Sequence, residues 1–86
     1  LETLFLIAGG GDYPRLVIDG ARAAGVEKIA LAVFEGETSP DLAERADAVF
    51  PMRVGQLGKL IDAAKNSGAR HALMAGQIAP SNLFNL

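Results

Sequence analysis

Three consecutive glycines, Gly9, Gly10 and Gly11, separate the apolar run LFLIA from Asp12, Tyr13 and Pro14. Glycines between a strand and a helix let backbone N–H groups approach a ligand closely. The helix amino terminus behind them adds unpaired donors and partial positive charge. That chemistry suits a phosphate or a diphosphate. The plain alternative is a tight strand-to-helix turn that needs glycine only for its backbone freedom. Gly9 and Gly11 fill the first two positions of G-x-G-x-x-G, but Pro14 stands at the third, so the dinucleotide fingerprint is incomplete and hydride chemistry on a nicotinamide is disfavoured. Asp12 suits a ligand hydroxyl or a magnesium ion, or equally a cap on the helix that follows.

Three further stretches carry polar groups to similar places. VGQLGK, at residues 54–59, opens a helical segment with Gly55, Gln56 and Lys59; Gln56 could read a base or sugar edge and Lys59 could meet a phosphate. It is no Walker loop, since the spacing and the Ser or Thr after lysine are missing, and a solvated lysine is the simpler reading. Glu35 follows the second apolar run, where dinucleotide-binding folds place an acid on a ribose hydroxyl, although exposed loop glutamates are common. Gly76 and Gln77 end the last apolar run. His71 is the sole histidine, there is no cysteine, and the carboxylates are scattered. A histidine-based metal cluster, a thiolate metal site and a Ser-His-Asp triad are therefore excluded within the chain, which carries no autonomous catalytic set.

The elements that must position these residues follow from hydrophobic patterning. Residues 4–8, 28–34, 47–52 and 71–77 read as strands, the first two as continuous apolar runs of the kind a parallel sheet buries on both faces. Pro51 is expected to end the third. Between them, residues 13–24 show a helical stripe of Leu16, Val17, Ala21 and Ala24 closed by Gly25, and residues 56–66 one of Leu57, Leu60, Ile61 and Ala64 closed by NSG. Ser39 or Asp41 could cap a short helix that runs through Ala46. The alternation of strand and helix predicts an α/β, Rossmann-like three-layer fold: a four-stranded parallel sheet in the order 3-2-1-4 with right-handed crossovers. Strands one and four are then neighbours, and their glycine-bearing carboxyl ends open into one crevice.

The 86 residues allow one domain, and half of them are hydrophobic, so a packed core is expected. A net charge of −2 gives no basic field to draw nucleic acid. No apolar run approaches the roughly 20 residues of a membrane-spanning helix. The chain starts without methionine and stops at SNLFNL without a closing element, as a piece of something longer would.

LIAGGGDYP, VGQLGKLI and MAGQIAPSNLF, in that order, resemble the amino-terminal domain of the LpxI-type UDP-2,3-diacylglucosamine pyrophosphatases, and the resemblance covers residues 1–86. It implies an enzyme of lipid A biosynthesis in Gram-negative bacteria. Such an enzyme hydrolyses UDP-2,3-diacylglucosamine to UMP and 2,3-diacylglucosamine 1-phosphate (lipid X), depends on Mg2+, and is cytoplasmic and peripheral to the inner membrane. It also implies a carboxyl-terminal domain, absent from this chain, that carries the metal ligands and catalytic residues and is a partner of this one, with an oligomer within reach. Gly9, Gly10, Gly11, Asp12, Gly55, Gln56, Gly76 and Gln77 carry over as substrate-binding positions for the UDP-linked glycolipid. The competing expectation is a non-catalytic nucleotide-binding or interaction module of the same fold.

Overall fold

Four apolar stretches become one parallel sheet in the order β3-β2-β1-β4, with β1 at Thr3–Ala8, β2 at Lys28–Phe34, β3 at Ala48–Met52 and β4 at His71–Ala75. The computed structural model describes residues 3–53 and 55–77. The order is the one predicted. β1 and β2 lie in the middle, and each is buried on both faces, which is why their sequences show no polar alternation. On one face Phe5, Ala30, Ala32, Phe34 and Met52 pack against helix α2, Leu57–Ser67, through Ala63 and the half-buried Leu60 and Ala64. On the other, Leu6, Ala8, Ile29 and Leu31 meet Ile18 of helix α1, Tyr13–Ala23, and Leu42 of a short 3-10 helix, Pro40–Arg45. The register sets Phe5 beside Ala30 and Leu6 beside Leu31, so side chains of the two faces alternate along the ladder. Each such buried leucine, isoleucine or phenylalanine contributes about 1.5–3 kcal/mol of transfer free energy.

Several details differ from the patterning. The inner stripe of α1 is Pro14, Val17, Ile18 and Ala21, while Leu16 is 61% exposed. At about 100° per residue Leu16 lies nearly opposite Ile18, so only one of them can face the sheet. In α2, Ile61 turns outward for the same reason, one residue from Leu60. β3 runs through Pro51 instead of ending there, because β3 is an edge strand and pairs only with β2, leaving one side of its backbone without a ladder to break. β4 stops at Ala75, where Gly76 (φ +101°) turns the chain and Gln77 bridges back, antiparallel, to Gly10. The short helix is of the 3-10 type; Ser39 stands at its N-cap without a side-chain bond, and Asp41 accepts from Arg15 instead. α2 ends on Gly68 in the left-handed conformation (φ +76°), as NSG suggested.

Ion pairs fasten the outer layer to the sheet. Arg22 donates to Asp47 at 2.9 Å, and the same carboxylate accepts the Ile29 N–H at 2.8 Å. That backbone bond, and after it the Arg22 guanidinium, holds the Asp47 carboxyl below the usual carboxylate range. Arg45 reaches Asp19 at 2.8 Å and so ties the 3-10 helix to α1.

Candidate functional site

The carboxyl ends of β1 and β4 cross at very short range. The Gly9 N–H donates to the Ala75 carbonyl at 2.8 Å, the Gly10 N–H to the Gln77 carbonyl at 2.7 Å, and the Gln77 N–H returns to the Gly10 carbonyl at 3.1 Å. A Cβ on Gly9 would lie 2.8 Å from the Gln77 backbone, and one on Gly10 would lie 2.8 Å from the Glu37 carbonyl oxygen. One on Gly76 would lie 2.7 Å from the Gly10 carbonyl oxygen. Any side chain here would force the two tips, or the loop after β2, apart. Gly9 and Gly10 therefore meet Gly76 in one place, but their amides are already bonded within the protein. Gly11 differs: it has φ +84°, is exposed, and nothing stands within 4 Å of where its Cβ would be.

What remains for a ligand at this end is the start of α1. Among the described residues the N–H groups of Gly11, Asp12 and Tyr13 have no hydrogen-bond acceptor, as the first turn of a helix leaves its donors. Pro14 follows them inside the first turn, where its missing N–H costs no bond. Asp12 occupies the N-cap position, yet its carboxylate does not cap; it accepts from Arg15 Nη1 at 3.1 Å. Arg15 also grips Asp41, which lowers the Asp41 pKa and raises that of the guanidinium. The capping expectation for Asp12 thus gives way to an ion pair one turn along, which leaves the backbone donors uncovered.

A second feature lies at the same edge of the sheet, over the ends of β2 and β3. There a cleft of about 630 Å³ is lined by Phe34, Pro40, Ala43, Pro51 and Met52 on its apolar side. Glu35, Thr38, Arg53, Gln56 and Lys59 supply its polar groups. Gly55 (φ +97°) and Gln56 make the turn into α2. The Gln56 Oε1 accepts the Arg53 N–H at 2.7 Å and the Gln56 N–H donates to the Arg53 carbonyl at 3.2 Å, so this side chain braces the loop while its carboxamide NH2 stays available. Glu35 and Arg53 stand 3.6 Å apart, 78% and 80% exposed. Lys59 has no ion pair among the described residues.

The expected site residues therefore fall into two groups, residues 9–12 with Gly76 and Gln77 at one pair of strand tips, and Gly55 with Gln56 at another. Thr38, which patterning did not single out, joins them. Its hydroxyl donates to the Ala8 carbonyl and accepts the Phe34 N–H at 2.8 Å, pinning the loop after β2 across both. The signal was its place four residues after Phe34 in the turn-rich EGETSP, where a threonine hydroxyl commonly bonds nearby backbone. Arg53 was missed too, having no spacing that distinguishes it. His71 lies at the far end of β4 and is exposed. No group of three His, Asp or Glu that could hold a metal ion occurs among the described residues, and no helix among them is long and apolar enough to cross a membrane.

Residues 3–86 match the family model of the LpxI N-terminal domain. No curated protein matches the chain.

Proposed function

We propose a specific reaction for this chain, which belongs to the LpxI N-terminal domain family and so to lipid A biosynthesis. It is the amino-terminal part of a hydrolase that cleaves the pyrophosphate of UDP-2,3-diacylglucosamine, giving UMP and lipid X. The observation that carries this reading is the cluster of uncovered amides at Gly11, Asp12 and Tyr13, placed beside the β4 tip by the glycine crossing. Donors in that arrangement suit a diphosphate, whose charge the helix start also favours. Gly9, Gly10, Gly76 and Gln77 shape the place, and Gly55 and Gln56 form the neighbouring part of the binding surface.

Cleavage of a pyrophosphate also needs a water aligned with the scissile bond and stabilisation of the leaving phosphate, commonly by a divalent ion. The described residues do not fit Mg2+: Asp12 and Asp41 both face Arg15, and no third carboxylate joins them. The work of this chain is to bind and orient the diphosphate, and a carboxyl-terminal domain of the full-length protein supplies the ion and the water. The fragment by itself is inactive on this reading, and the enzyme is cytoplasmic, meeting its glycolipid at the membrane surface.

The test is release of UMP from UDP-2,3-diacylglucosamine by the full-length protein with magnesium, alongside its Gly11→Val variant. Valine strains a backbone at φ +84° and crowds the free amides, so kcat/KM is expected to fall about 100-fold. Absence of UMP release by the unmutated protein would overturn the reaction. Normal turnover by the variant would remove the glycine loop from the site.

A further inference from the structure

Arg15 stands in the first turn of α1, beside the uncovered amides, and holds two carboxylates at once. Its Nη1 donates to Asp12 at 3.1 Å, and its Nη2 donates to Asp41 of the 3-10 helix. We infer that Arg15, anchored by Asp41, is a positioning residue for the anion site: it draws the Asp12 carboxylate along α1 and so keeps the protein's own acid out of the place the diphosphate takes. The inference rests on the reading above and deepens it, since it names what keeps that site open.

Three observations carry it. An aspartate at a helix N-cap ordinarily turns its carboxylate onto the N–H of the second or third helical residue. The second here is Pro14, which has no N–H, so the Arg15 N–H is the donor such a cap would take, and among the described residues it has no acceptor. Next, the Asp12 backbone is helical (φ −94°, ψ −14°) where a capping residue is extended, and its carboxylate, 88% exposed, meets Arg15 instead. Finally, Arg15 is held from outside α1. The Asp41 hydrogen bond is the main reason that the guanidinium pKa is raised, with Asp12 a lesser one, and the Arg15 side chain is only 32% exposed. The 3-10 helix thus fixes the cation, and Asp12 follows it. A carboxylate seated on the amides would compete with a diphosphate, and one left unpaired beside them would repel it. Arg15 removes both penalties.

The experiment is a calorimetric titration of the full-length protein with UDP, together with amide hydrogen exchange of the free protein. Both are repeated on Arg15→Leu, on Asp12→Ala, on the two combined, and on Arg45→Leu. The last breaks the Arg45–Asp19 pair, which joins the same two helices at 2.8 Å without touching Asp12, and so controls for a general loosening. Arg15→Leu should weaken UDP about fivefold and slow exchange of the residue-15 amide, as a carboxylate cap would. In the Asp12→Ala background the same change should alter UDP affinity less than about twofold, and Arg45→Leu should leave it unaltered. An equal loss in both backgrounds would mean that Arg15 touches the ligand itself. That result, unchanged affinity in Arg15→Leu, or a comparable loss in Arg45→Leu would each overturn the inference. Its failure is separable from that of the proposed reaction, because the exchange measurement needs no ligand. Slower exchange and weaker UDP in Arg15→Leu, without UMP release by the unmutated protein, removes the reaction and keeps the role of Arg15. UMP release at unchanged KM in Arg15→Leu does the reverse.

Discussion

The tips of β1 and β4 and the tips of β2 and β3 share one edge of the sheet, yet they are built in opposite ways. At the first, backbones touch: two glycine amides are consumed by carbonyls of the opposite tip, and three missing side chains make room for the crossing. At the second, a side chain braces the loop before α2 and a cleft stays open beside it. A glycine run at a strand end therefore need not lend its own amides to a ligand. Here it brings the chain to a place where the next few amides, at the head of α1, are the ones left over.

Substitutions can break this contrast, and the largest effect is expected at Gly76. Gly76→Ala combines φ +101° with a Cβ 2.7 Å from the Gly10 carbonyl oxygen, and a loss of about 3 kcal/mol or more is expected in urea unfolding. Gly11→Ala shares the positive φ but meets open space, so about 1–2 kcal/mol is expected. Equal losses at the two would mean that the crossing is not close-packed. Next, Thr38→Val removes the bonds to the Ala8 carbonyl and the Phe34 N–H. About 2 kcal/mol should be lost, read by the same unfolding curves.

A smaller effect belongs to the opposite edge of the sheet, at Asp47, and serves as a control for both regions. Asp47 and Asp41 have folded-state pKa values lowered by their partners. Their stabilisation is present above the unfolded value of about 4 and is lost as pH falls through the lower folded values. Thermal unfolding should thus be nearly flat from about pH 7 to pH 5 and decline below about pH 4, less steeply in Asp47→Asn. A decline that begins near neutrality would point to other groups. The smallest change is expected for Lys59→Ala, within about 0.5 kcal/mol of the unmutated chain. A loss well beyond that would make Lys59 a structural residue and erase the contrast.

Much of this architecture is legible in the sequence because a central parallel strand must be apolar throughout. LFLIA and KIALAVF could hardly be anything else, and their order in the sheet is the usual one for a Rossmann-like fold. The meeting of Gly9 and Gly10 with Gly76 was legible for the same reason. The fate of the Gly9 and Gly10 amides was not, because their acceptors, Ala75 and Gln77, lie some 65 residues away and depend on how β4 ends. Leu16 misled because an apolar residue on the outer side of a helix carries no mark that distinguishes it from one on the inner side. Thr38 and Arg53 acquire their roles only when the loop after β2 folds across the sheet edge.

Amide hydrogen exchange of the chain, with and without UDP, bears most directly on the division of labour among the glycines. Gly9 and Gly10 should be protected before any ligand is added, while Gly11, Asp12 and Tyr13 exchange quickly and slow only when UDP binds. Gly9 and Gly10 exchanging as fast as Gly11 in the free chain, and slowing with UDP, would contradict it.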